Sequence, residues 1–386
     1  GQNYIENAKQ LIDWRGESRT LRESNYYGGN YNQDHTPFVN QDNVAGHSVR
    51  AAYLYSGASD IAALLPDTDP DKAAYINALD TINERVTQRN TYITGGVGVA
   101  STSEGFGPDY DLPNDGSYCE VCAGIAMAMW NQRMNLVHED AKYADSMERA
   151  LYNGILVGTN LEGNLFYYST KLEVTNGNAR STWFSCACCP PNLMRTIASI
   201  SGYMYTVHGD DLFVNLYVGS EGNINVNGTN VGITQQTNYP WEGSVGITLA
   251  PEQEKEFTMN IRIPGWVSEQ ANQNVTISVN SAPVKVEAEK GYVAITRRWK
   301  AGDVIAIDFP MEVRLTEAHP KVTTNTGRVA IERGPIVYAM ERAGNHELNE
   351  DANFDPNRFI IPRDTEFTAT YRSDLLKGVV ELTADV

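Results

Sequence analysis

Residues 188–222 read CCPPNLMRTIASISGYMYTVHGDDLFVNLYVGSEG, and within them the spacing of apolar side chains changes. Before about residue 208 they recur at three and four residues, as Leu193, Ile197, Ile200 and Met204 do, which is the period of one face of a helix. From about 210 the period becomes two, the alternation of a half-buried strand. Pro190 and Pro191 suit the first turn of the helix, where a missing N–H leaves no bond unmade. The junction predicts a helical region followed by a β region.

Toward the N-terminus the helical period continues in 3–14, 43–56, 71–90, 120–135 and 140–157. Long Gly/Asn/Asp-rich connections, 22–42 and 92–118, exceed ordinary loop lengths and are candidates for building a site. One alternating stretch among the helices, NLFYYSTKLEV (164–174), reads as a hairpin strand. Toward the C-terminus NVGITQQTNY, GSVGITLA, EFTMNIRIPGW, NVTISVNS, YVAITRRW and DVIAIDFPMEVRL are short strands separated by turn residues, a β-sandwich pattern. The last segment starts irregularly at ERAGNHELNEDANFDPNRF and ends in strand-like FTATY and GVVELTADV.

The 386 residues are enough for two domains. A formal charge of −18 with no Lys/Arg cluster repels phosphate backbones and anionic lipid, which argues against nucleic acid and membrane as partners. No apolar run approaches the roughly 20 residues that span a bilayer. A neutral small molecule or glycan is the easier partner. The N-terminus lacks an initiator Met and a secretory signal and opens directly in a helical pattern, so a fragment or processed chain is expected. Periplasm, cell exterior and cytoplasm stay open as locations, and a homodimer stays open as an oligomeric state.

The five cysteines are Cys119, Cys122, Cys186, Cys188 and Cys189. An odd count in two tight clusters favours metal binding or thiol chemistry over disulfide staples. Glu120 and Cys122 would diverge by about 200° on a helix, so both reach one metal only from an extended or capping turn ahead of the helix. Three thiolates and a carboxylate make a plausible closed tetrahedral site. Buried structural cysteines, or a redox pair of Cys119 and Cys122, are the rival readings.

SEGFGPDYDLPND (103–115), YCEVCA (118–123) and WFSCACCPPN (183–192), in this order, resemble the signature of glycoside hydrolase family 127, the β-L-arabinofuranosidase type. The likeness continues in QDHTPFVNQDNVAGHSVRAAYLYSG (33–57), IRIPGW, YVAITRRWKAGDVIAIDFPMEVRL and GPIVYAMER, and so covers nearly the whole chain. It implies an (α/α)6 catalytic barrel followed by β-sandwich domains: here a helical catalytic domain, 1–208, the C-terminal part of such a barrel, and a β-sandwich region, 209–386. The barrel needs twelve helices and about six precede the β region, so its N-terminal half is expected to be lacking.

By the same resemblance, zinc is held by Glu120, Cys122, Cys188 and Cys189. Cys188 is the nucleophile of a retaining glycoside hydrolase that removes terminal β-L-arabinofuranosyl or related residues from plant glycans, and Glu104 is its acid/base. His47 is implied as a sugar-hydroxyl contact and Tyr168 as a lining of the sugar site. Cys186 matches the motif without an assigned role, and Cys119 reads as incidental. A noncatalytic glycan-binding or structural protein, with zinc only tying loops together, is the alternative from another functional class.

Overall fold

A computed structural model describes residues 2–16, 30–174, 179–268, 275–341 and 359–384. The start of the 22–42 connection and nearly all of the irregular stretch 341–359 lie outside the described residues. The chain is a mixed helical and β-sheet multidomain fold with two compact units. One comprises residues 1–206 with Glu289–Tyr292 and His319–Thr326, and the other the remaining residues.

The first unit is built on helices α1 (Gln2–Asp13), α2 (Ser48–Leu64), α3 (Pro70–Arg89), α4 (Val121–His138), α5 (Ala141–Ala150) and α6 (Cys189–Ser199). Helix α4 lies at its centre because Val121–Ala128 present only apolar or small side chains on every face, and a helix that is apolar all round has to be enclosed. Its fully buried Trp130 packs on Tyr55 of α2 with ring centroids 4.9 Å apart. Ala51, Ala52 and Ala58 of α2 are buried in the same core and keep the two helices close.

Three expectations about segments are corrected. The helix expected over 43–56 begins at Ser48 and runs on to Leu64, because His47 stays extended as the N-cap and its Nδ1 accepts the Val49 and Arg50 N–H groups. The helix expected over 140–157 ends at Ala150 and continues as a π turn, Leu151–Ile155, and a 3-10 turn, Leu156–Gly158. A Cβ at Gly158 would stand 3.0 Å from Val121, so this glycine allows the close approach to α4. The segment 164–174 forms isolated bridges rather than a hairpin strand: Phe166 bridges Thr159 and Ser181, while Ser169 bridges Glu120. Its backbone groups are shared among several neighbouring segments, so no ladder develops.

In the second unit a six-stranded antiparallel sheet has the order Ser220–Val226, Thr229–Thr237, Ser244–Pro251, Asp303–Asp308, Thr276–Val279 and Ala282–Val284. A five-stranded sheet has a parallel pair, Asp211–Val214 with Lys255–Arg262. Alternation along Asp303–Asp308 puts Ile305 and Ile307 inside and Val304 and Ala306 outside, as a period of two requires. The buried Arg262 guanidinium lies 5.6 Å from the Tyr217 ring, whose hydroxyl donates to the Arg262 carbonyl. Two smaller sheets, of three and two strands, follow. Among the described residues no helix is long and apolar enough to cross a membrane.

Candidate active site and metal centre

Two helix mouths converge in the first unit. Glu120 is the extended N-cap of α4 (φ −60°, ψ 133°), and Cys122 follows in the first turn, so the cap geometry turns both side chains to one point. Cys188 is the N-cap of α6 and Cys189 its first residue, with both prolines behind them. The sulfurs of Cys122 and Cys189 are 3.4 Å apart and those of Cys188 and Cys189 3.6 Å. Glu120 Oε1 lies 3.5 Å from the Cys188 sulfur and 3.6 Å from that of Cys189. One ligand atom from each residue falls within 4.8 Å of the other three.

Such packing of acidic groups resists ionisation. Burial, reinforced by the neighbouring charges of Cys122 and Glu104, pushes the Glu120 carboxyl up to about 8. Burial likewise raises the Cys188 thiol to about 12. Cys189 is pushed up chiefly by its hydrogen bond with Cys122, and that same bond draws Cys122 down to about 6. The cluster therefore holds one ready thiolate, at Cys122, and three groups that keep their protons at neutral pH. Glu120 Oε2 is buried without a hydrogen-bond partner among the described residues. A cation would occupy that orphaned lone pair and draw off the three protons, so the donor set fits a metal ion.

Glu104 stands next to this cluster on the 92–118 connection, its carboxylate oxygen within 4.8 Å of that of Glu120. Ser103 and Glu104 both have left-handed backbone, φ 53° and 64°, a conformation that needs support from its surroundings. The support is specific. The Glu104 carbonyl accepts from Ser48 N–H at 3.0 Å and from the Ser48 hydroxyl at 2.8 Å. Phe106 N–H donates to the Gly46 carbonyl at 3.0 Å, and a Cβ on Gly105 would come within 2.7 Å of that same oxygen. The carboxylate itself lies 3.0 Å from His47 Nε2 and accepts from the Tyr118 hydroxyl at 2.8 Å.

His47 has both ring nitrogens engaged, Nδ1 at the α2 terminus and Nε2 at Glu104. Since Nδ1 accepts backbone N–H groups, Nε2 carries the hydrogen and donates. Tyr168 puts its hydroxyl 3.4 Å from the Cys188 sulfur, and its carbonyl accepts Val121 N–H. Tyr167 turns instead to Arg180, whose guanidinium lies 4.4 Å from its ring centroid. Cys119 lies outside the cluster, packed with Tyr92 and Val99, and Cys186 is exposed. Tyr118 and Asn192 were not singled out by the sequence reading. Tyr118 sits two residues before Glu120, with the left-handed Cys119 between them. Asn192 follows Cys188 by one helical turn and hydrogen-bonds both Tyr53 and Cys122.

Comparisons with known proteins agree along the whole chain. Residues 1–202 match the family profile of the β-L-arabinofuranosidase GH127 catalytic domain, 211–311 that of the GH127 middle domain and 313–376 that of the glycoside hydrolase family 127 C-terminal domain. A non-reducing end β-L-arabinofuranosidase of Bifidobacterium longum is 32% identical over 363 residues, covering 89% of this chain and 53% of its own length. A solved GH127 β-L-arabinofuranosidase from Geobacillus stearothermophilus T6 superposes with a TM-score of 0.91 at 40% identity, covering 100% of this chain and 62% of that one. A solved GH127 β-arabinofuranosidase gives a TM-score of 0.91 at 38% identity, over 99% of this chain and 59% of that one. The chain thus spans between about half and two thirds of the length of these relatives. With three consecutive domains matched and the fold shared, the chain belongs to glycoside hydrolase family 127.

Proposed function

We propose that the chain carries the reaction centre of a retaining glycoside hydrolase that removes terminal β-L-arabinofuranosyl or related residues from plant glycans. The division at 208/209 into a helical domain, the C-terminal part of an (α/α)6 barrel, and a β-sandwich region belongs to the same proposal. Glu120, Cys122, Cys188 and Cys189 would hold zinc, for which sulfur separations of 3.4 and 3.6 Å come near the roughly 3.8 Å edge of a tetrahedron with 2.3 Å bonds. When bound, zinc keeps the Cys188 sulfur a thiolate at neutral pH, where burial alone would leave it protonated.

The support that weighs most is the position of Cys188, at once a member of the cluster and in contact with the Tyr168 hydroxyl. Glu104 adjoins the same cluster through Glu120. In the first step Glu104 gives its proton to the glycosidic oxygen as that bond to the anomeric carbon breaks and the Cys188 sulfur bonds to the carbon. In the second, the Glu104 carboxylate takes a proton from water as the water oxygen bonds to that carbon, and Cys188 leaves as thiolate. Two inversions give net retention. Tyr168 lines the sugar beside the sulfur. His47 is the sugar-hydroxyl contact at the edge of the same pocket, its Nε2–H then shared between that hydroxyl and the Glu104 carboxylate.

A chromogenic β-L-arabinofuranoside tests this, assayed together with elemental zinc on this chain and on an N-terminally extended form. Turnover with about one zinc per chain is expected. A metal-loaded, extended form that binds the glycoside without cleaving it would return the protein to the noncatalytic reading. A cysteine-reactive arabinofuranose mimic should label Cys188, and a label on Cys119 would have the same effect.

A further inference from the structure

We propose that Tyr118 is a positioning residue, which sets the plane of the Glu104 carboxylate and ties it to the segment that carries the metal-ligating groups. The proposal deepens the hydrolase reading and rests on Glu104 being its acid/base. A carboxyl group that must present one lone pair to a leaving-group oxygen is useful only if rotation about its last bond is prevented. Its backbone cannot supply this. The Ser48 contacts hold the Glu104 carbonyl, but beyond the Cβ the side chain keeps free torsions, and it is 39% exposed.

Two donors do supply it, one on each oxygen. His47 Nε2–H addresses Oε2 at 3.0 Å and the Tyr118 hydroxyl addresses Oε1 at 2.8 Å. The two anchors come from different parts of the fold. His47 belongs to the mouth of α2, together with Ser48, and is bridged to the loop that already carries Glu104. Tyr118 belongs to the strand-like run into α4, where the Tyr118 and Cys119 N–H groups share the Gly98 carbonyl at 3.1 and 3.4 Å. The left-handed turn at Cys119, φ 42°, sends the chain directly on to Glu120 and Cys122. Among the described residues Tyr118 is thus the hydrogen-bond partner of the carboxylate whose backbone is continuous with the cluster, and it keeps proton donor and nucleophile in register. Its ring stands 6.4 Å from that of Tyr168, which touches Cys188.

Tyr118→Phe in the zinc-loaded protein removes the hydroxyl and keeps the ring. Two measurements decide. Crystal structures of parent and variant should differ at Glu104, with the carboxylate turned about its terminal bond while Glu120 and the three sulfurs stay in place. A carboxylate that keeps its plane overturns the proposal. Kinetically, kcat/KM should fall roughly 10- to 100-fold on an arabinofuranoside with a poor leaving group and less than about threefold on an activated aryl glycoside, because only the former needs a well-aimed proton. Equal losses on the two substrates also overturn it, since a general structural defect acts alike on both. If the parent turns over neither glycoside, the hydrolase reading fails and the crystallographic arm alone decides what Tyr118 does.

Discussion

The cysteine cluster and the Glu104 corner are neighbours held by opposite means. The cluster sets three thiols and a carboxyl against one another, with Glu120 2% exposed and one of its oxygens unsatisfied. On the proposed reading a cation completes it. The Glu104 corner has each polar group already answered: carbonyl to Ser48, carboxylate to His47 and Tyr118, and the left-handed backbone braced by Gly46 and Gly105. It is complete without one. Under the proposed mechanism the nucleophile and the proton donor are thereby held by separate means, one charge-driven and the other hydrogen-bond-driven.

The largest effect is expected from removal of one ligand. Cys122→Ala or Cys189→Ala should abolish tight zinc binding, worth on the order of 10 kcal/mol in thiolate-rich sites, and lower the melting temperature of the metal-loaded form toward that of the chelated parent. Thermal melts with and without chelator check this. A variant that melts like the loaded parent would place the metal elsewhere.

Acidity sharpens the same contrast. At pH 7 Glu120, Cys188 and Cys189 hold protons, since all three lie above neutrality, whereas Cys122, at about 6, is mostly ionised. Zinc must therefore displace roughly three protons. Affinity should rise steeply with pH near neutrality, because each displaced proton competes with the cation. Calorimetry in buffers of different ionisation enthalpy counts the protons released, and a count near zero would mean that the cluster is already ionised.

For the other half, Glu104→Gln keeps the shape of the side chain and removes its acid function. Turnover should fall roughly 100-fold or more with zinc content unchanged, and less on substrates with acidic leaving groups. Metal analysis beside steady-state kinetics tests the independence of the two halves. The smallest effect is expected from Ser48→Ala, which removes the hydroxyl from the Glu104 carbonyl. It should cost about 1 kcal/mol of stability, read by denaturant titration, and leave zinc affinity alone.

Local pattern was enough for much of this molecule. The change of period near residue 208 separated helices from strands, since repeats of 3.6 and 2 are set by backbone geometry and appear directly in residue order. Tight clustering of the thiols pointed to metal or thiol chemistry from spacing, while the set of Glu120, Cys122, Cys188 and Cys189 came from the family resemblance. Tertiary structure decided where those groups meet. Glu120 and Cys188 are 68 residues apart, His47 and Glu104 57, and no periodicity encodes such pairings. It also decided the conformations that residue type alone would not suggest, the left-handed Ser103, Glu104 and Cys119, which persist because Ser48, Gly46 and Gly98 take up the backbone groups around them. Tyr118 escaped a reading of the sequence on that account. A tyrosine beside a cysteine motif is ordinary until the turn at Cys119 and the loop at Glu104 bring a hydroxyl and a carboxylate within 2.8 Å.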